Sequence, residues 1–152
     1  MFTPPRPPAL ILLAEDDPDD RLLALRALKA SPLTSKVNWV ENGEELMAYL
    51  NRTGNYAEPS KSPLPDLILL DLNMPRKDGR QAAKEIKEHP QLRRIPVIAF
   101  TTSQSDDDVS HLYDLGINAF VTKPATFDAF SQTINAISHF WFEVAQLPPL
   151  ED

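Results

Sequence analysis

"PLPDLILLDLNMPRKDG", from Pro63 to Gly79, places four aliphatic residues, Leu67 to Leu70, directly before the carboxylate of Asp71. An unbroken apolar run this short fits a strand buried on both faces, which is the signature of a parallel sheet. A buried strand that ends in an aspartate, with no basic residue beside it, calls for an explanation from elsewhere in the chain.

The flanking sequence repeats the pattern. Ala9 to Ala14, Val37 to Val40, Val97 to Thr101 and Ala119 to Thr122 are further short apolar runs. Helical patterns follow each run. They cover Pro18 to Ala30, Glu44 to Leu50, Gly79 to Glu88, Asp106 to Leu115, and Thr126 to about Gln146. Asn51 to Pro65 is a longer polar loop. Five strands, each followed by a helix, imply an α/β fold: a five-stranded parallel sheet with helices on both faces and right-handed crossovers.

Composition narrows the function. The 152 residues suit one domain, and a net charge of -7 argues against non-specific nucleic-acid binding. Cysteine is absent, so thiol chemistry, disulfides and thiolate zinc sites are excluded. No secretory pattern and no apolar run of membrane-spanning length occurs, so a cytoplasmic protein off the membrane is expected. Residues 1–8 are read as a proline-rich flexible leader, 9–146 as the folded domain, and 147–152 as a tail, with no output domain.

Ligands of open α/β sheets bind beyond the carboxyl ends of the strands. The first run ends in Glu15-Asp16-Asp17, the third in Asp71, the fourth in Thr101-Thr102-Ser103, and the fifth in Lys123-Pro124. Part of the acidic cluster serves a helix start. Asp17 suits the N-cap, Pro18 the first helical position, and Asp19 and Asp20 the helix dipole. Glu15 and Asp16 precede the cap and are left for function. Glu15, Asp16 and Asp71 bring three negative charges against the one positive charge of Lys123. At ~4 Å and an effective dielectric of ~20, each like pair costs about 4 kcal/mol. A divalent cation relieves this repulsion, and an all-oxygen ligand set suits magnesium.

Four segments, "ILLAEDDP", "LILLDLNMPRKDG", "VIAFTTS" and "FVTKP", resemble the receiver domain of two-component response regulators, in that family's order and over roughly residues 9–140. The stretch around "LPDLILLDLNMPRKDGRQAAKEIK" and the tail "FWFEVAQLP" resemble more narrowly the single-domain regulators of cyanobacterial phytochromes. The resemblance implies a flavodoxin-like strand order 2-1-3-4-5. It implies a non-enzymatic regulator that takes a phosphoryl group from a sensor histidine kinase, a phytochrome, onto Asp71. Asp16 and Asp71 would hold Mg2+ (or Mn2+), with Glu15 acting mainly through water and Asn73 through its backbone carbonyl. Thr101 and Lys123 would contact the phosphoryl group. Thr101 and Phe120 would form the switch, and the Lys123–Pro124 bond would be cis. Thr102 departs from the small residue usual there.

The last helix carries Phe127, Phe130, Ile134, Ile137, Trp141 and Val144 at spacings of three and four. A helix of about 20 residues spans ~30 Å and would overhang strands of roughly 17 Å. Its aromatic end therefore suggests a homodimer through Phe130, Ile134, Ile137, Phe140, Trp141, Phe142 and Val144. The sequence raises three rival readings. An aspartate-dependent phosphatase of the haloacid-dehalogenase type needs a second acid two residues after Asp71, where Asn73 stands. A flavodoxin-type nucleotide binder would be repelled by the acidic first loop. A phosphorylation-independent interaction module would not require the full set of acids, Thr101 and Lys123.

Overall fold

The computed structural model describes residues 9–31 and 34–149. Five strands, β1 (Ala9–Ala14), β2 (Thr34–Val40), β3 (Leu67–Leu70), β4 (Val97–Thr101) and β5 (Ala119–Thr122), form one sheet in the order β2-β1-β3-β4-β5. Every neighbouring pair is parallel. The helices are α1 (Pro18–Lys29), α2 (Gly43–Asn51), α3 (Gly79–Glu88), α4 (Asp106–Leu115) and α5 (Phe127–His139).

The period-two geometry of strands divides the aliphatic residues between two cores. Leu12, Ile68, Leu70, Val97 and Ala99 face one side. There they pack with Leu46 and Leu50 of α2, Ala82, Ala83 and Ile86 of α3, and Leu112 of α4. Ile11, Leu13, Leu67, Leu69, Ile98 and Phe100 face the other side. They meet Ala24, Ala27 and Leu28 of α1, and Phe130, Ile134 and Ile137 of α5. All four residues of β3 are fully buried, which is why Leu67 to Leu70 shows no polar alternation.

Helix starts follow the sequence chemistry. Asp17 accepts hydrogen bonds from the backbone N–H groups of Asp19 and Asp20 at 2.9 and 3.2 Å. Asn42, Asp78, Ser105 and Thr126 cap the other four helices by the same means. β2 begins at Thr34, three residues before the apolar run that marks it, because pairing with β1 extends a polar edge segment. The long polar loop holds a single 3-10 turn, Gly54–Tyr56, whose Tyr56 ring lies 5.3 Å from that of Tyr49.

The last helix departs from the expected continuous stripe. α5 ends at His139, and Phe140–Val144 form a π-helical turn closed by the Ala145 N–H donating to the Phe140 carbonyl at 2.7 Å. The wider turn moves the apolar face by one residue. Phe142, five positions after Ile137, enters the core, while Val144 is 62% and Phe140 49% exposed. Trp141 is partly buried and meets Phe140 edge-on, with centroids 5.3 Å apart. Of the seven residues named for a dimer stripe, Phe130, Ile134, Ile137 and Phe142 lie in the chain's own core. The proline-rich leader and the last three residues of the tail lie outside the described residues. Among the described residues, no helix is long and apolar enough to cross a membrane.

Candidate functional site

The carboxyl ends of β1, β3, β4 and β5 bring the polar residues named from the sequence to one rim. Asp71 follows β3 directly, and its N–H donates to the Ala14 carbonyl at 3.0 Å, which locks the ends of β1 and β3 together. Glu15 continues β1 through its N–H, donating to the Val40 carbonyl at 3.0 Å. The Lys123 N–H donates to the Thr101 carbonyl at 2.7 Å and ties β5 to β4. Sequence-distant residues thus arrive together because parallel strands end on the same side.

Lys123 crosses this rim. Its Nζ lies 2.5 Å from Glu15 Oε1, 2.8 Å from Asp20 Oδ2 and 3.6 Å from Asp71 Oδ2. The ammonium is almost wholly buried, as are Glu15 and Asp71. Burial disfavours charge on Lys123, but hydrogen bonds with Asp20 and Glu15, together with the negative field of Glu15 and Asp71, outweigh it and hold the amine above its ordinary range. Burial pushes the Glu15 carboxyl up from its usual range; Lys123 opposes this shift, and neighbouring Asp71 adds to it.

Glu15, Asp16 and Asp71 each offer a carboxylate oxygen, and these atoms lie within 4.8 Å of one another. Three hard oxygen donors, two of them buried, fit a divalent cation of the magnesium type. The raised Glu15 carboxyl is the electrostatic deficit that such a cation would relieve. The Asn73 N–H reaches Asp71 Oδ1 at 3.5 Å, so its backbone lies alongside the carboxylate. Thr101 is fully buried at the end of β4, and its Oγ1 accepts a hydrogen bond from the Ser103 N–H at 3.4 Å. Thr102 is exposed. Phe120 is half-buried against the core facing α2, α3 and α4, and its N–H donates to the Tyr113 hydroxyl at 3.2 Å.

Two expectations are revised here. No cis peptide bond occurs among the described residues, so the Lys123–Pro124 bond is trans. Lys123 is aimed instead by its backbone bond to β4 and by Glu15 and Asp20. Asp20, which the sequence assigns to the helix dipole, also holds Lys123. Asp20 stands in the first turn of α1, just after the strand end that carries Glu15, which puts its carboxylate on the same rim. Gly79 also belongs to the site's frame: a Cβ there would overlap the Asp71 carbonyl oxygen. A cleft of about 710 Å3, lined by Glu41, Glu44, Glu45, Tyr56 and Arg76, opens beside the rim and shares Asp16 with it.

A family model described as the response regulator receiver domain matches residues 11–135. The response regulator Rcp1 of Synechocystis sp. is 42% identical over 142 residues, covering 93% of this chain and 95% of Rcp1. Among solved structures, the phosphorylated cyanobacterial phytochrome response regulator RcpA superposes with a TM-score of 0.89 at 43% identity. That match covers 94% of this chain and all of RcpA. The Mn(2+)-bound form of Rcp1 superposes with a TM-score of 0.86 at 41% identity, over 93% of this chain and all of Rcp1.

Proposed function

The chain belongs to the response regulator receiver domain family, and from that premise we propose that it accepts a phosphoryl group from a histidine kinase onto Asp71 and signals through altered protein contacts. The observation that carries this reading is the approach of Lys123 Nζ to 3.6 Å from Asp71 Oδ2, on a rim shared with Glu15 and Asp16.

An Asp71 carboxylate oxygen attacks the phosphorus of a phosphohistidine. An O–P bond forms, the P–N bond breaks, and the departing imidazole takes a proton from water. The Lys123 ammonium faces the oxygens on which negative charge gathers, and the Thr101 hydroxyl donates to one of them. Glu15, Asp16 and Asp71, with the Asn73 carbonyl, would hold Mg2+ or Mn2+. When bound there, such an ion would supply positive charge to offset what phosphoryl and carboxylate bring together. Hydrolysis of the acyl phosphate returns the free carboxylate, so the protein is the substrate of its own chemistry rather than a turnover enzyme. Asn73, where a dehalogenase-type phosphatase needs an acid, fits this division.

Phosphorylation replaces the single charge of the carboxylate with a phosphoryl group carrying roughly -1.5 to -2 and new acceptor oxygens. Thr101 moves towards the new oxygens, and the half-buried Phe120 on the neighbouring strand turns into the space vacated. The likeness to phytochrome regulators supports a phytochrome-type kinase as donor, and a cytoplasmic location is part of the same reading. A second copy docks at the exposed end of the last helix through Phe140, Trp141 and Val144. The test is transfer of radiolabelled phosphate from a phosphorylated histidine kinase. Label should enter the unaltered chain only with a divalent cation, be released by alkali, and be absent from Asp71→Asn. Equal alkali-labile labelling of Asp71→Asn would remove Asp71 from the role.

A further inference from the structure

The phosphoryl chemistry above leaves unused a chain of hydrogen bonds between the loops that follow β3 and β4. Arg80, in the first turn of α3, forks onto Asp108 in the first turn of α4. Its Nε donates to Oδ1 at 2.6 Å and its Nη2 to Oδ2 at 2.7 Å. Its Nη1 donates to both carboxylate oxygens of Asp78, at 3.2 and 3.0 Å. The Ser103 hydroxyl donates to Asp108 Oδ2 at 2.7 Å, and the Ser103 N–H donates to Thr101 Oγ1 at 3.4 Å.

The two ends of this chain are what give it meaning. At one end Asp78 precedes Gly79, whose backbone lies against the Asp71 carbonyl. At the other stands the hydroxyl of Thr101. The links between them are unequal. Planar, charge-assisted bonds below 3 Å hold Asp108, and they keep the Arg80 guanidinium above its ordinary range and the Asp108 carboxyl down at about 2. The bond to Thr101 is long and weak. Ser103 therefore stays with Asp108, and Thr101 is the loose end.

We propose that Arg80 and Asp108 are positioning residues that clamp Ser103 and so hold the Thr101 hydroxyl in its resting arrangement. This rests on the assignment of Asp71 as phosphoacceptor. Filling that site pulls Thr101 away from Ser103, so the clamp opposes loading and lowers affinity for a phosphoryl group. The clamp also couples α4 to the site, because Asp108 sits in that helix's first turn, where its N–H is capped by the Ser105 hydroxyl at 3.3 Å.

The experiment is a beryllofluoride titration of the full chain with magnesium, followed by calorimetry. The variants are Arg80→Gln, Asp108→Asn, their combination, and Ser103→Ala. Each single variant should bind beryllofluoride about two- to fivefold tighter. The combination should gain no more than either single change, because both break one clamp. Magnesium affinity without beryllofluoride should not move, which separates positioning of Thr101 from general loosening. Ser103→Ala leaves the Arg80–Asp108 pair in place and guards against a fold lost with the arginine. Unchanged or weaker beryllofluoride binding in the folded variants, or additive gains in the combination, overturns the proposal. A wild-type chain that binds no beryllofluoride strikes at Asp71 itself, and the clamp falls with it.

Discussion

Lys123 Nζ stands 3.6 Å from Asp71 Oδ2 while Glu15 and Asp20 hold it at 2.5 and 2.8 Å. One buried ammonium thus answers three carboxylates drawn from two strand ends and the first helix. Replacing it with Gln leaves Glu15 and Asp71 buried with no cation. Phosphoryl transfer to Lys123→Gln should fall by roughly a hundredfold, and breaking a buried ion pair should cost about 3 kcal/mol of stability without metal. Initial labelling rates and urea midpoints measure the two. A rate within threefold of the unaltered chain would show that the amine is not used.

Asp20 contributes to the same arrangement at lower stakes. Its side chain is partly exposed, and Glu15 and Asp71 still face Lys123 in its absence. Asp20→Asn should slow transfer less than tenfold and cost about 1 kcal/mol. A loss as large as that of Lys123→Gln would mean that Asp20, not Glu15, aims the lysine.

Gly79 tests the frame rather than the chemistry. Alanine in a helix is favoured over glycine by about 1 kcal/mol, which alone predicts a more stable protein. The new Cβ, however, would overlap the Asp71 carbonyl oxygen and press on the Leu72 Cα at 2.7 Å, both backbone atoms that cannot turn aside. Overpacking of this kind costs typically ~1–3 kcal/mol, and here it wins. Gly79→Ala should lose stability and labelling together. A stabilised variant with normal labelling would refute the close packing.

Asp108 predicts a pH dependence. Hydrogen bonds from Arg80, then from Ser103, hold its carboxyl at about 2 against an ordinary 3.8. A depressed carboxylate binds fewer protons folded than unfolded across that window. Its stabilisation is therefore complete above the ordinary value and is lost as pH falls towards 2. The gap in urea midpoint between the unaltered chain and Asp108→Asn should be full at pH 5 and shrink by pH 2.5. A gap independent of pH would contradict the charged pair.

The strands and the rim were legible because buried parallel strands need unbroken aliphatic residues and end on one side. Leu67 to Leu70 followed by Asp71 carries both facts, and Glu15, Thr101 and Lys123 follow by the same rule. Three features were not legible. Asp20 in the first turn of α1 already satisfies the helix dipole, so its residue type carries no separate sign of its reach to Lys123. Thr34 to Lys36 lacks the apolar signal of a strand, because an edge strand takes its order from its neighbour. The π-helical turn at Phe140–Val144 depends on a backbone widening that no spacing of three and four encodes.

That turn decides what a second copy can touch. Phe142 is 6% exposed and belongs to the core with Phe130, Ile134 and Ile137, whereas Phe140 and Val144 face outward with part of Trp141. Phe142→Ala should therefore weaken folding by about 3–5 kcal/mol before it affects association. Phe140→Ser with Val144→Ser removes apolar surface at positions already in contact with water, so the fold should keep its urea midpoint within about 0.5 kcal/mol. The same pair should turn a dimer into a monomer in sedimentation at micromolar concentration. Dimers that persist in the double serine variant would move the interface off the end of the last helix. An unaltered chain that sediments as a monomer would remove the homodimer altogether.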